Sequence, residues 1–120
     1  MKFEEYYWHD SEIKTIIIDR SNPGNNDVIV FEIDWVDKGL GKLIFEGVYW
    51  ANINMNFGIV STECIASAYV ANEKDSSLTE VYQRWNGLIN DTKLYCYVIN
   101  TISTRSEIKI IAKEFKVIYG

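Results

Sequence analysis

Residues 28–36 read Val-Ile-Val-Phe-Glu-Ile-Asp-Trp-Val. Ile29, Phe31, Ile33 and Trp35 occupy one parity, and Val28, Val30, Glu32 and Asp34 the other. Side chains alternate faces along a strand, so this stretch predicts a β-strand with one fully apolar face and one mixed face. The turn that follows, Asp37-Lys38-Gly39-Leu40-Gly41, is short and offers two glycines for positive φ, which predicts a hairpin. Beyond it Leu43, Phe45, Gly47, Tyr49, Ala51, Ile53, Met55 and Phe57 share one parity, and Lys42, Ile44, Glu46, Val48, Trp50, Asn52, Asn54 and Asn56 the other. So long a strand requires a bend or bulge, expected near Gly47 or around Ala51, with Gly58 ending it.

The same reasoning extends in both directions. Upstream, Ser21-Asn22-Pro23-Gly24-Asn25-Asn26-Asp27 is a compact run of turn formers, and the β-branched block Ile16-Ile17-Ile18 before it predicts a strand over 13–20. Downstream, residues 59–72 are compatible with a helix or a strand of small residues and are assigned to a strand or irregular segment. Ser77-Leu78-Thr79-Glu80 has the form of a capping box, and Leu78, Val81, Tyr82 and Trp85 follow at helical spacing before Gly87, which predicts a short amphipathic helix over 77–86. Strands over 93–101 and 107–119, joined by Ser103-Thr104-Arg105-Ser106, form a closing hairpin. Short polar turns between strands imply an antiparallel, mainly β fold bordering on α+β: a twisted sheet forming a sandwich or half-barrel, within a single domain over 1–120.

Composition sets further bounds. The chain is 48% hydrophobic, with four Trp, eight Tyr and five Phe, enough apolar area to offset the entropy of ordering. Its opening, MKFEEYYWHD, interrupts any apolar leader with acids, and no later run approaches a membrane span, so a soluble cytoplasmic protein is expected. The net charge of -5 lies in the first half, where ten acids face five bases; residues 61–120 carry seven of each. That surface disfavours nucleic acid and suits a basic protein partner, although modest acidity also serves solubility. Cys64 and Cys96 are too few for a disulfide framework and read as buried thiols. No cofactor or metal is indicated.

His9, Asp10 and Ser11, in Tyr6-Tyr7-Trp8-His9-Asp10-Ser11, are the residue types of nucleophilic hydrolysis. On an extended strand, however, neighbouring side chains diverge, and no Gly-x-Ser-x-Gly elbow accompanies them. A structural role is therefore expected for Trp8, His9, Asp10 and Ser11, in which His9 and Asp10 satisfy backbone groups at a strand entry. With a single histidine, a metal site is equally disfavoured.

Strand parity points to a different surface. If the apolar sides of the hairpin face inward, Glu32, Asp34 and Glu46 share the outer face and are expected close together, with Lys42 relieving part of their repulsion. The face continues through Trp50, Asn52, Asn54 and Asn56, an aromatic anchor beside amides. A merely solvated polar face accounts for the asparagines as well; a binding face accounts also for Trp50 and for the apolar Val28, Val30, Ile44 and Val48 among the charges, which the helix, a second chain or a partner would cover. The basic Arg105, Lys109, Lys113 and Lys116 are interleaved with Glu107 and Glu114 and read as a guarded strand edge.

The motif Trp8-His9-Asp10-Ser11-x-Ile13, together with a closing hairpin of the type SEIKIIAKEF, resembles small uncharacterised bacterial β-rich proteins, some grouped with immunity proteins of polymorphic toxin systems. The resemblance implies a cytoplasmic, non-enzymatic binding protein that covers the active site of a toxin domain. The expected site is then Glu32, Asp34, Glu46, Trp50 and the asparagine row, facing a basic toxin domain. A carbohydrate or small-ligand module using Trp50 and the amides is the alternative, and a homodimer through the outer apolar residues stays open.

Overall fold

In the computed structural model, which describes residues 1–120, a 3-10 turn at Phe3–Glu5 precedes six strands and one helix. The strands are β1 (Glu12–Ile18), β2 (Val28–Trp35), β3 (Gly39–Asn54), β4 (Glu63–Val70), β5 (Tyr95–Thr101) and β6 (Glu107–Tyr119), with α1 (Ser76–Arg84) between β4 and β5. All neighbours pair antiparallel, in the order β1-β2-β3-β6-β5-β4, and β4 returns to β1 to close a barrel. The mainly β, antiparallel architecture with one short helix agrees with the sequence. The closure does not: a sandwich or half-barrel was expected, and the sheet joins its own edge.

Two features explain the closure. First, β3 and β6 are long and bend together, so one pair of strands serves both halves of the molecule. Residues 41–46 of β3 pair with 114–119 of β6, and on the far side of the bend residues 48–54 pair with 107–112. Gly47, at φ +62°, sits at the bend, and a Cβ there would lie 2.8 Å from Lys113 Cδ and Cγ. Only glycine combines that backbone with that approach. Second, the N-terminal segment fills the seam where β1 and β4 diverge after two paired residues, Glu12 with Cys64 and Ile13 with Glu63. Ile65 N–H donates to Ser11 O, Asp10 N–H donates to Ile65 O, and Val70 N–H donates to a Glu4 carboxylate oxygen, so the free edge of β4 is satisfied by the chain's own start.

The barrel interior follows the alternation of β2: Ile29, Phe31, Ile33 and Trp35 are buried together with Leu43, Phe45, Ile65, Tyr97, Ile99, Ile108 and Ile110. Phe3 and Trp8 plug it, their rings 4.6 Å apart, with Trp8 4.9 Å from Trp35. Gly41 is required for contact rather than for its torsions, because a Cβ would lie 2.8 Å from Ile118 O and 3.1 Å from the Trp35 indole nitrogen.

A second, smaller core lies outside the barrel. α1 lays Leu78 and Val81 over Cys96, Val98 and Ile111, which is why β5 is buried on both faces and reads as a near-continuous apolar run. The helix begins one residue earlier than its sequence suggests and ends at Arg84 rather than at residue 86. Asp75, not Ser77, is the N-cap, and its Oδ1 accepts from Ser77 N and Leu78 N. Residues 63–70 of the ambiguous segment are strand.

Candidate binding surface

The Trp8-to-Ser11 motif forms a tight turn, closed by Ser11 N–H donating to Trp8 O, with Asp10 at φ +69°. Its side chains go to separate places. Trp8 is buried and donates from Nε1 to Phe3 O at 2.6 Å. Ser11 is also buried: its hydroxyl donates to Tyr7 O at 2.6 Å and accepts from Val36 N at 3.1 Å, which ties the entry of β1 to the end of β2. His9 and Asp10 are exposed and meet only each other, at 3.3 Å. The expectation that His9 and Asp10 satisfy backbone groups is therefore corrected, because Ser11 performs that task. Its hydroxyl faces inward, away from the imidazole in open solvent, so the three do not form a nucleophile–base–carboxylate chain.

Glu32, Asp34 and Glu46 do share the outer face of the β2–β3 hairpin, but they are not gathered. Glu32 lies opposite Lys42, Asp34 opposite Leu40, and Glu46 opposite Val28. Four strand residues separate the Glu32 and Glu46 rows, about 13 Å. Strand alternation fixes the face; the distance along the strands is set by the turn at residues 36–38, which places Trp35 against Gly39. Each acid except Asp34 also has a local partner. Thr15 Oγ1 donates to Glu32 at 2.7 Å, and Lys116 Nζ pairs with Glu46 at 2.9 Å, offsetting Glu114 directly across the ladder.

The outer face instead presents an apolar row. Ile17 of β1 pairs with Val30 of β2, which pairs with Ile44 of β3. Ile17 is 50% exposed, and Val30 and Ile44 are half-buried. Glu32 and Lys42, opposite each other in the ladder, flank the row on one side and Glu46 on the other, while Lys116, the ion-pair partner of Glu46, lies directly opposite Ile44 at the end of the row. The helix covers none of it, since α1 packs on β5 and β6. Val48, expected in this group, turns inward against the barrel core because of the Gly47 bend. Ile17 was not singled out in the sequence, where its triple-isoleucine setting reads as core.

The rest of the predicted face divides. Trp50 pairs with Ile111 and packs partly into the helix-side core. Asn52 and Asn54 are exposed opposite Lys109 and Glu107. Asn56 is structural: its Nδ2 donates to Thr104 O at 2.7 Å and braces the β5–β6 turn. The expected continuous row of asparagines beside Trp50 is thus broken by the end of the strand.

Glu46 and Trp50 meet again on the rim of a cleft of about 750 Å³ at the β3 bend. One wall is the 20–28 loop, fastened by Val48 N–H donating to Asp27 O at 3.0 Å. The Gly24 N–H and then the Arg20 guanidinium hold the Asp27 carboxyl below the usual carboxylate range. The opposite wall carries Lys113 and Trp85, the C-cap of α1, whose ring meets Tyr49 edge-on at 5.3 Å. Three of these residues, Tyr49, Trp85 and Lys113, come from different elements, and no local pattern in the chain links them.

Among the bases, Lys109 reaches Asp75 at 3.7 Å and Lys116 pairs with Glu46, while Lys113 has no ion-pair partner. Cys96 is buried under α1, whereas Cys64 is only half-buried, in contrast to its expected burial, and touches Thr62 Oγ1 through its sulfur. No group of three or more His, Cys, Asp or Glu side chains is placed to hold a metal ion. No helix is long and apolar enough to cross a membrane. Compared with models of known protein families and with the sequences of characterised proteins, the chain matches none.

Proposed function

We propose that this chain is a non-enzymatic protein-binding domain, of the immunity type that inhibits a toxin by covering it, and that it engages its partner through the outer face of β1–β2–β3. The observation that supports this reading is the uncovered Ile17–Val30–Ile44 row, which runs across three strands between charged side chains. An apolar centre with a polar rim is the arrangement that protein interfaces use. Because Glu32 and Glu46 each have a partner on the same surface, the apolar row is the anchor and the acids are the rim. Asp34, Glu32 and the excess of acids in the first half of the chain favour a basic partner, steering its approach more than strengthening its hold.

The test uses Ile17→Asp combined with Ile44→Asp, two outward positions where a carboxylate leaves the barrel core intact. Partner capture from the source cells, and protection of those cells from a co-expressed toxin domain, should both fall at least about tenfold, the equivalent of roughly 1.4 kcal/mol. Undiminished capture and protection by a folded double variant rule out this face.

A further inference from the structure

We propose that the cleft at the β3 bend binds an acidic saccharide, with the sugar ring against Trp85 and its carboxylate on Lys113. Its volume, about 750 Å³, lies within the range of sites that enclose small ligands. Trp85 lines the cleft and is 44% exposed although it caps a helix, and Tyr49 braces its ring edge-on at 69° and 5.3 Å. A rigid aromatic face beside polar groups suits a ring with an apolar C–H side and a rim of hydroxyls.

The polar wall is equally preorganised. Asn25 and Asn26 line the cleft, and both backbone N–H groups donate to Asn22 O, so the loop is a closed turn. Asn25 Nδ2 donates to Asn22 Oδ1 at 3.2 Å, which leaves its Oδ1 and second amide hydrogen, together with the Asn26 amide, as the acceptors and donors that hydroxyl recognition needs. The charge of the ligand follows from pairing: Arg20 is engaged by Asp27 and Glu46 by Lys116, which leaves Lys113 as the uncompensated charge of the cleft. Its stem lies against Gly47, where a Cβ would come within 2.8 Å, so the bend itself seats this lysine. A carboxylate fits a single ammonium; a phosphate would call for a cradle of converging donors. The asparagines that serve here are those of the 20–28 loop, not Asn52, Asn54 and Asn56. Trp85 and Lys113 lie off the β1–β3 face, so this site stands or falls separately from the protein-binding reading.

The experiment is a titration of the isotope-labelled chain with D-glucuronic acid and N-acetylneuraminic acid, using D-glucose as the neutral counterpart and reading the Trp85 indole and the backbone amides of Asn25, Asn26 and Gly47. Saturable shifts at these groups, with affinity near the millimolar range and at least about fivefold better for the acids than for glucose, are expected. Trp85→Ala should lose the shifts, Trp85→Phe should retain most of the affinity, and Lys113→Gln should abolish the preference for acids while the fold is kept. No saturable shift with either acid up to about 10 mM, equal affinity for glucose, or binding unchanged in Trp85→Ala overturns the proposal.

Discussion

Gly47 and Lys113 face each other at the bend of the two longest strands, so close that a single added Cβ on the glycine would meet the lysine stem at 2.8 Å. The bend is what allows β3 and β6 to belong to both halves of the barrel, and the positive φ of +62° at Gly47 is its pivot. Gly47→Ala therefore carries a backbone cost, of order 1 kcal/mol or more for a left-handed residue, and a contact cost that Lys113 relieves only in part by shifting. Chemical denaturation should show a loss of about 1–3 kcal/mol. Gly47→Ala combined with Lys113→Ala should recover most of the contact part, since only the Lys113 Cβ at 3.0 Å stays, and leave the backbone part, which a double-mutant comparison separates.

Ser11 and His9 stand two residues apart and should respond very differently to truncation. Ser11→Ala removes the group that accepts from Val36 N and donates to Tyr7 O, which leaves backbone groups without their partner; a destabilisation of about 1–3 kcal/mol is expected. His9→Ala removes an exposed ring whose one ion-pair contact is with Asp10, and stability should change by no more than about 0.5 kcal/mol. Thermal melts of the two variants side by side provide the check. A large effect at His9 with none at Ser11 would contradict the assignment of the motif as a strand-entry turn.

The contrast between those two residues shows where the sequence was informative. The alternation of residues 28–35 is local, with a period of two, and it placed every side chain of β2 on its observed face. Glycine inside a long alternating run marked the bend at residue 47. What stayed hidden depends on partners distant in the chain. Val48 turns inward because the positive φ of Gly47 flips the alternation before it, and Trp50 is then set by a register shift against β6 that follows Val48. The helix cap was misplaced because Asp75, Ser76 and Ser77 are all capping types, and Asp75 is the one seated near Lys109. Parity said that Glu32 and Glu46 share a side of the sheet, and nothing local said how far apart. The cleft between the 20–28 loop and Trp85 had no signature, since it exists only after β3 bends and α1 docks.

The docking of α1 rests on a polar bridge as well as on its apolar face. Tyr82 Oη donates to Thr92 O at 2.6 Å and accepts from Leu94 N at 3.0 Å, which holds the segment entering β5. Tyr82→Phe keeps the ring and deletes both bonds, at an expected cost of about 1–3 kcal/mol. Amide hydrogen exchange should speed up at Leu94 and across α1 before it does in β2, because the helix and its small core lie outside the barrel. Uniform acceleration over all strands would show that helix and barrel unfold as one unit.

Cys96 links that helix-side core to pH. Burial pushes its thiol up from 9.0 to about 11, with the Asp75 carboxylate adding to the effect and Lys109 opposing it. The sign follows from proton counting. Between about pH 9 and 11 the folded chain retains a proton that the unfolded chain releases, so stability is complete below pH 9 and falls as pH rises through this window. A two-unit displacement corresponds to a loss on the order of 2–3 kcal/mol by the top of the window. Tyr97, pushed up to about 12 chiefly by burial, extends the decline to higher pH. Cys96→Ala removes the ionisable group, so its denaturation midpoint should decline less steeply between pH 9 and 11 than that of the parent, although it starts lower because the small core loses volume. Alkylation should report the same asymmetry at neutral pH: the half-buried Cys64 should be modified first, and Cys96 only at the rate at which α1 opens. Equal rates at the two thiols, or parallel pH profiles for parent and variant, would mean that the thiol under the helix is open to solvent.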